Sequence, residues 1–318
     1  MERRERKKSS QPDQFRIVKV LILIAAVLAV IILVAEKADE SNMAQTQSTE
    51  PPETTESTEA AVQGNDELRM MTYAEMAMGN LVLVNEEYGI DPGYVVVQTL
   101  HDKAADSYYV KDLEVSVQEH LIEPLNQWMT AFYDSTGIND ALIVAGHRTV
   151  EYQQYLYDRA VKNKGQAHAD AYIALPGHSE HHTGLAIDFD TYTDQGILGG
   201  FDGEGEYRQI VEEAWKYGFV QRYPPDKSDI TGISYEAWHF RYVGLPHSGI
   251  MTDNNLCLEE YIDFLKKYPY EGEHLKAEYL GKSYEVYYCE GLKAVLPTDR
   301  AYTVSGNNVD GFIVTVEG

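Results

Sequence analysis

The chain is 318 residues long and carries 26 Lys and Arg against 51 Asp and Glu, a formal charge of −25. This charge argues against nucleic acid as a partner, because a phosphate-binding surface requires cationic patches. The length suffices for one or two domains with cores of their own, and two cysteines exclude a disulfide-rich scaffold and any multi-cysteine metal site.

The N-terminal segments differ in composition from the rest of the chain. Residues 1–35 carry a charge of +4, residues 36–67 carry −8 and the remainder carries −21. Residues 20–35 contain no polar side chain, and with the three residues before them they would make a helix of about 28 Å, close to the thickness of a bilayer core. We expect a transmembrane anchor at 20–35 after a cytoplasmic basic tail at 1–19, because the cations all precede the apolar run. A cleaved signal peptide is the alternative, although no small-residue cleavage site follows.

Residues 36–67 are rich in Ser, Thr, Glu, Pro and Gln. A segment with so little apolar surface cannot offset the entropy of ordering it, so we expect a disordered acidic stalk. Together these segments predict a single-pass cell-membrane protein with a cytoplasmic N-terminus. The folded region from residue 68 onward is then expected outside the cell.

Apolar periodicity predicts the elements of the folded region. Helices are expected at 72–78, 115–133, 149–165, 204–217 and 258–267, and strands at 80–85, 141–145, 185–189 and 238–243. Pro124 is expected to kink or divide the second helix, and Thr149 to cap the third. Short segments rich in Tyr, Val and Gly predict a small β-rich region at 269–318. The irregular order of helices and strands favours an α+β fold.

Two polar segments hold the candidate chemistry. Residues 176–188 read PGHSEHHTGLAID, and residues 234–244 read SYEAWHFRYVG. Among their residues, His181, Asp188 and His239 supply two imidazoles and a carboxylate, the ligand count of a catalytic zinc that keeps a fourth position for water. Glu236 is a candidate for the base that takes a proton from that water. The spacings of seven and three residues are odd, so the ligands must lie where turns meet strands. No HExxH motif is present, which excludes the helix-based zinc proteases.

These segments resemble the VanY-type D-alanyl-D-alanine carboxypeptidases. Residues 179–188, SEHHTGLAID, fit the family pattern S-x-H-x-x-G-x-A-x-D, and residues 236–239, EAWH, fit its E-x-W-H pattern. Supporting segments extend the resemblance over roughly residues 80–250. The resemblance implies an α+β zinc carboxypeptidase domain at 68–268, in which helices flank an antiparallel sheet as in the hedgehog and D,D-peptidase zinc folds. The β-rich region at 269–318 would be a small appendage to it.

Carried over by position, the resemblance implies that His181, Asp188 and His239 bind one zinc ion and that Glu236 is the catalytic base. The implied reaction is hydrolysis of the last peptide bond of a peptidoglycan stem peptide or its precursor, which releases a terminal D-alanine. Such a substrate lies on the cell-wall side of the membrane, where the predicted anchor would hold the enzyme.

Three further site residues follow from the same resemblance. Arg148 stands where the family stabilises the developing oxyanion, in a GHRT segment with His147 and Thr149 in place of the usual Tyr and Ser. Gln153 and Ser179 align with positions that contact the substrate.

Two other functions stay open at this point. An L,D-carboxypeptidase would use the same metal site on tetrapeptide stems, because related proteins differ in the substrate pocket. A non-catalytic wall-binding module could keep zinc for stability alone. Glu236 argues against the module, since a purely structural zinc site needs no base.

The two cysteines, Cys257 and Cys289, flank the proposed boundary between the two folded regions. Oxidising conditions outside the cell would permit a disulfide between them, worth roughly 3–4 kcal/mol in the chain-entropy model. Two separate buried thiols are the alternative, and we expect the bond.

Overall fold

The computed structural model describes residues 66–91, 93, 95–192 and 200–318. Its helices are α1 (Tyr73–Met76), α2 (Ile122–Thr136), α3 (Val150–Lys164), α4 (Gln166–Tyr172), α5 (Arg208–Glu213), α6 (Ser228–Thr231), α7 (His247–Asp253) and α8 (Leu258–Leu265). Its strands are β1 (Glu67–Met70), β2 (Gln98–Thr99), β3 (Tyr109–Val110), β4 (Ser116–Val117), β5 (Ala141–Ala145), β6 (Ala186–Thr191), β7 (Phe219–Gln221), β8 (His239–Tyr242), β9 (Leu275–Tyr279), β10 (Lys282–Glu290), β11 (Lys293–Leu296), β12 (Tyr302–Gly306) and β13 (Gly311–Glu317). Short 3-10 turns lie at Glu119–Leu121, Glu180–Thr183, Gly205–Tyr207 and Ala214–Tyr217.

A five-stranded central sheet positions both polar segments. Its strand order is β3-β5-β6-β8-β7, and every neighbouring pair except β3 with β5 is antiparallel. The register pairs Asp188 of β6 with His239 of β8, and a register shift in β5 sets Ala145 beside Asp188. The predicted α+β class, with an antiparallel sheet and flanking helices, is confirmed.

Helix α2 packs its apolar stripe into the main core together with this sheet. The indole ring of Trp128 stacks on Phe219 with ring centroids 5.0 Å apart, and it meets Phe189 and Phe240 edge-on at 5.4 and 5.2 Å. Aromatic pairs in these arrangements add to the free energy gained by burying their area. The helix therefore supports β6, β7 and β8, the strands next to the candidate site.

Two predicted helices differ from the observed ones. Pro124 lies in the first turn of α2, where the N–H groups have no acceptor within the helix, so it neither kinks nor divides the helix. Residues before Glu119 instead form β4 and its flanks. The predicted helix at 204–217 consists of α5 with one 3-10 turn before it and one after it. It ends as expected at Gly218, whose φ is +84°.

Residues 80–85 were predicted to be a strand and are not one, although four of their side chains are buried. Several of their backbone groups bind side chains instead of the backbone of a neighbouring strand. The N–H of Leu81 donates to the Ser305 hydroxyl at 2.9 Å, and Arg241 donates to the carbonyls of Asn80 and Val82 at 2.9 Å each. These backbone groups of a buried segment outside any strand are thus hydrogen-bonded to side chains from distant parts of the chain.

The C-terminal region is β-rich, as predicted. Its antiparallel sheet has the order β12-β13-β10-β9, and β11 pairs separately with β1. Val286 and Ile313 of this sheet share an apolar core with Leu258 and Ile262 of helix α8 and with Val243, which follows β8. The sheet is therefore joined to the site-bearing region by buried side chains, and the boundary at 268/269 stays a prediction.

The expected membrane topology requires a correction. Across residues 66–91, 93, 95–192 and 200–318, no helix is long and apolar enough to cross a bilayer, which contradicts the prediction of a single-pass membrane protein. The predicted basic tail at 1–19, the anchor at 20–35 and nearly all of the stalk at 36–67 lie outside the described residues. The stalk's last residue, Glu67, is the first residue of β1 and pairs with Leu296.

The predicted disulfide is also corrected. Cys257 and Cys289 are both buried and are free thiols in this structure. Cys257 is the N-cap of α8, whereas Cys289 lies in β10 opposite Phe312. Burial raises the pKa of the Cys257 thiol to about 12 and that of the Cys289 thiol to about 11. The two cysteines therefore act as small apolar residues.

Candidate metal centre and active-site cleft

The fold brings together the three residues predicted to bind metal. His181 lies in the 3-10 turn before β6, Asp188 in β6 and His239 at the start of β8, and all three are buried. One ligand atom from each lies within 4.8 Å of the others. The Nε2 atom of His181 is 3.2 Å from Asp188 Oδ2, and the Nδ1 atom of His239 is 2.9 Å from Asp188 Oδ1.

Two glycines explain why the turn before β6 can present His181 in this way. Gly184 ends the turn with a φ of +68°, a conformation that L side chains rarely adopt. At Gly146 a Cβ would lie 2.2 Å from the Ser116 carbonyl oxygen, so only glycine permits this close approach. The carbonyl of Gly146 consequently lies 2.6 Å from His181 Nδ1. Since a carbonyl only accepts, His181 donates through Nδ1 and its Nε2 atom is the one left for a ligand.

The electrostatics of the cluster suit a cation. Burial alone would raise the pKa of Asp188, but the two histidines and their hydrogen bonds hold it well below its usual range. Burial, with Arg148 nearby, lowers the pKa of His181 to about 4. Burial also opposes charge on His239, yet the carboxylates of Asp188 and Glu180 raise its pKa to about 9. An ionised carboxylate and imidazole nitrogens that converge on one point are donors that Zn²⁺ accepts. This is the one such group of three among the described residues. Its donors fit a zinc ion with an open fourth position.

Glu236 stands beside this cluster without belonging to it. Its side chain is buried, and its Oε2 atom is 3.8 Å from His239 Nδ1. Burial raises the pKa of Glu236 to about 7, and the Asp188 carboxylate adds to this rise while His239 and Arg148 oppose it. A carboxylate in these surroundings can exchange a proton near neutral pH.

Arg148 approaches from the side of α3. It donates through Nη2 to Asp188 Oδ2 at 2.9 Å and through Nη1 to Gln153 Oε1 at 3.1 Å. The other end of the Gln153 amide donates to the carbonyl of Ala174 at 2.8 Å. His182 donates through Nδ1 to the Arg148 carbonyl at 2.6 Å, because its Nε2 atom already accepts the N–H of Gly177. Both the guanidinium and the backbone of Arg148 are thus held in place.

A cleft of about 300 Å³ opens over the cluster. The predicted site residues in its lining are His181, Asp188, His239, Glu236, Arg148, Gln153 and Ser179. The Ser179 hydroxyl has no hydrogen-bond partner within the described part of the chain. The cleft also exposes two basic side chains from the α3–α4 region, Lys164 and His168, and the aromatic rings of Tyr172, Tyr223 and Trp238.

Sequence reasoning missed a buried charged group behind the cluster. Glu180, Arg222 and Arg241 all lie within the protein, and the Glu180 carboxylate pairs with both arginines. Burial opposes ionisation of Glu180, but the two guanidinium groups hold its pKa well below the usual range. The sequence offered one signal for this buried group, an ionisable residue within an apolar segment, such as Arg241 within HFRY.

Comparison with known proteins connects this geometry to a family. The family model for VanY, D-alanyl-D-alanine carboxypeptidase, matches residues 115–245. A D-alanyl-D-alanine carboxypeptidase of Enterococcus faecium is 35% identical over 260 residues, which are 79% of this chain and 80% of that protein. The bifunctional D-Ala-D-Ala dipeptidase and D-Ala-D-Ala carboxypeptidase VanXYC of Enterococcus gallinarum is 43% identical over 147 residues, 45% of this chain and 77% of that protein.

A solved structure extends the similarity beyond the motifs. The vancomycin resistance D,D-dipeptidase VanXYg, in complex with a D-Ala-D-Ala phosphinate analog, superposes with a TM-score of 0.71 at 33% sequence identity. The match covers 80% of this chain and 100% of that one. The similarity therefore includes most of the described fold.

Proposed function

Because the chain belongs to the VanY family of D-alanyl-D-alanine carboxypeptidases, which are zinc-dependent hydrolases, we propose that it removes the terminal D-alanine from peptidoglycan stem peptides ending in D-Ala-D-Ala. One observation carries the proposal. Three ligand atoms within 4.8 Å of one another share a cleft with the buried carboxylate of Glu236 and the guanidinium of Arg148.

The proposed metal ligands are His181, Asp188 and His239. A zinc ion held there would supply Lewis acidity, which polarises a carbonyl and activates water for attack. Glu236 would accept the proton of the attacking water and return it to the leaving amine. Its raised pKa, caused mainly by burial, suits a group that must both take and give a proton near pH 7.

Arg148 is the proposed donor to the oxyanion that forms as the peptide carbonyl is attacked. It lies in the cleft within 2.9 Å of Asp188, next to the proposed metal position. Gln153 holds the guanidinium from behind and also lines the cleft, so it can orient Arg148 as well as meet the substrate. Ser179, with its free hydroxyl at the cleft wall, is the second proposed substrate contact.

The charge of the protein explains why these basic groups matter. An overall charge of −25 repels the carboxylate at the end of a stem peptide. Arg148 and Lys164 place positive charges in the cleft lining and oppose this repulsion locally. The cleft therefore suits a peptide that carries a free C-terminal carboxylate.

The test is hydrolysis by the purified full-length protein, with and without a zinc chelator. The substrates are a pentapeptide stem ending in D-Ala-D-Ala, a tetrapeptide stem ending in one D-Ala, and the free dipeptide D-Ala-D-Ala. We expect D-alanine release from the pentapeptide, loss of activity with chelator and recovery on adding zinc. Release from the tetrapeptide alone would instead identify an L,D-carboxypeptidase. Zinc-loaded protein that cleaves none of the three would indicate a non-catalytic module.

A further inference from the structure

Two polar atoms behind the metal cluster face each other without a hydrogen bond. His239 Nε2 and Glu180 Oε2 are both buried, and neither has a partner among the described residues. They lie 3.6 Å apart, and their side chains are 5% and 0% exposed. A buried polar atom without a hydrogen bond destabilises the fold, so two such atoms that face each other call for a functional explanation.

The other oxygen of Glu180 is fully engaged. Its Oε1 atom accepts from Arg222 Nε at 2.8 Å and from Arg241 Nη1 at 2.7 Å. Because both arginines bind the same oxygen, the second oxygen is left directed at His239.

The arginines in turn are held by two separate parts of the chain. Arg222 donates through both Nη atoms to the carboxylate of Glu259 in α8, at 2.9 and 2.6 Å. Arg241 donates to the carbonyls of Asn80 and Val82. The Glu180 carboxylate therefore cannot turn away without breaking several charge-assisted hydrogen bonds.

The two histidines of the cluster use opposite ring nitrogens. His181 donates through Nδ1 to the Gly146 carbonyl and turns Nε2 toward Asp188. His239 turns Nδ1 toward Asp188, at 2.9 Å. To bind a metal through Nδ1, His239 must keep its proton on Nε2, because a ligating nitrogen needs its lone pair. Glu180 Oε2 is the acceptor that faces this N–H.

We propose that Glu180 is a positioning residue for the metal centre, which accepts the Nε2–H of His239 and thereby fixes its tautomer and ring orientation. This inference rests on the proposed zinc-dependent function. It gives a role to Glu180, the second residue of the SEHHTGLAID segment, and to the buried arginines that hold it.

The first test compares Glu180→Gln with Glu259→Gln. At residue 180 the amide oxygen would stay with the two arginines, which can only donate, so the NH₂ group would face His239 and favour the wrong tautomer. We expect zinc affinity, measured by chelator competition on folded protein, to fall about 10–100-fold. Glu259→Gln weakens the hold on the same Arg222 but leaves the Glu180 carboxylate facing His239, so its zinc affinity should fall far less than that of Glu180→Gln. Equal zinc affinities in the two variants would overturn the proposal.

The second test needs only the wild type, in case Glu180→Gln does not fold. In zinc-loaded protein with ¹⁵N-labelled histidines, we expect the His239 ring to carry its proton on Nε2 and the His181 ring on Nδ1, with His239 assigned by comparison with His239→Gln. A His239 ring without a proton on Nε2 would refute the role of Glu180. Wild type that hydrolyses the pentapeptide but shows this result loses only the present inference, whereas wild type that binds no zinc contradicts the proposed function itself.

Discussion

At the scale of single residues, three buried carboxylates near the metal cluster differ in protonation because their neighbours differ. Asp188 lies between two histidines and an arginine, which keep it ionised. Glu180 is ionised by two buried arginines. Glu236 has no cation as close, and burial raises its pKa to about 7. Only Glu236 is therefore suited to exchange protons during a reaction near neutral pH.

Glu236→Gln is expected to lower kcat on the pentapeptide stem by about 10²–10⁴-fold, because the amide cannot accept the proton of the attacking water. Zinc affinity should be retained, since Glu236 is outside the group of three ligands. The measurements are D-alanine release and chelator competition. Glu278→Gln, an exposed carboxylate in β9, is the matched control and should leave both unchanged. Near-normal turnover by zinc-loaded Glu236→Gln would show that another group is the base.

Arg148→Lys tests whether shape as well as charge matters at the proposed oxyanion site. Lysine keeps the positive charge, but its N–H groups all lie on one nitrogen and cannot reproduce the planar fork whose two Nη atoms bind Asp188 and Gln153. We expect kcat/KM to fall about 10²–10³-fold, the effect of losing one oxyanion donor. Arg159→Lys, in the helix that follows Arg148 and outside the cleft lining, serves as the control. A kcat/KM equal to that of the wild type would mean that charge alone suffices.

At the scale of elements, the start of α3 sets the position of Arg148, the proposed oxyanion donor. The Thr149 hydroxyl accepts the N–H of Tyr152 at 3.2 Å and caps the helix directly after Arg148. Gln153, one turn later, then faces back toward Arg148. The helix cap at Thr149 therefore helps to position both Arg148 and Gln153 in the cleft. The sequence predicted this cap and the end of the helix at Gly165 because both depend on neighbouring residues only.

Thr149→Ala should lower the free energy of unfolding by about 1 kcal/mol through loss of the cap. It should also lower kcat/KM several-fold, because the loop that carries Arg148 gains freedom. Thr72→Ala removes an equivalent cap from α1, whose residues do not line the cleft. We expect that control to change stability alone. Urea unfolding and D-alanine release measure the two effects, and an unchanged kcat/KM in Thr149→Ala would separate the cap from the site.

At the scale of the whole molecule, His247 joins α7 to both neighbouring elements of the C-terminal core. Its Nδ1 atom lies 2.8 Å from the Tyr261 hydroxyl of α8, and its Nε2 atom lies 3.0 Å from the Thr315 hydroxyl of β13. Burial lowers the pKa of His247 to about 3. The folded protein therefore keeps this imidazole neutral under conditions in which the unfolded chain would protonate it.

This pKa predicts how stability depends on pH. The unfolded chain binds a proton at His247 below a pH of about 6.5, while the folded protein does not until about 3, so stability falls as the pH falls through this window. The loss is about 1.4 kcal/mol per pH unit, or roughly 2 kcal/mol between pH 7.5 and 5.0. His247→Gln cannot titrate, so the stability difference between wild type and variant, from urea unfolding, should shrink by that amount. Parallel pH profiles would contradict the prediction.

Whether a feature was predicted correctly depends on how far apart in the sequence the residues that determine it lie. Helices α3 and α8 and strands β5, β6 and β8 were predicted from local periodicity and were found within a few residues. Residues 80–85 have the same apolar pattern as a strand, yet they bind Arg241 and Ser305, which lie more than 150 residues away. The same holds for the cysteines, whose pairing depends on where two distant elements come to lie.

The sequence by itself determined the fold class, the family and the residue types of the site, because motif spacing, capping and apolar periodicity are local properties of the chain. Only the tertiary structure decided which atoms meet. The register between β6 and β8 brings Asp188 to His239, the Gly146 carbonyl selects the ring nitrogen of His181, and Glu180 comes to face His239 from behind. Hydrogen bonds and ion pairs act over a few ångströms in space, and only the packed fold sets those distances between residues far apart in sequence.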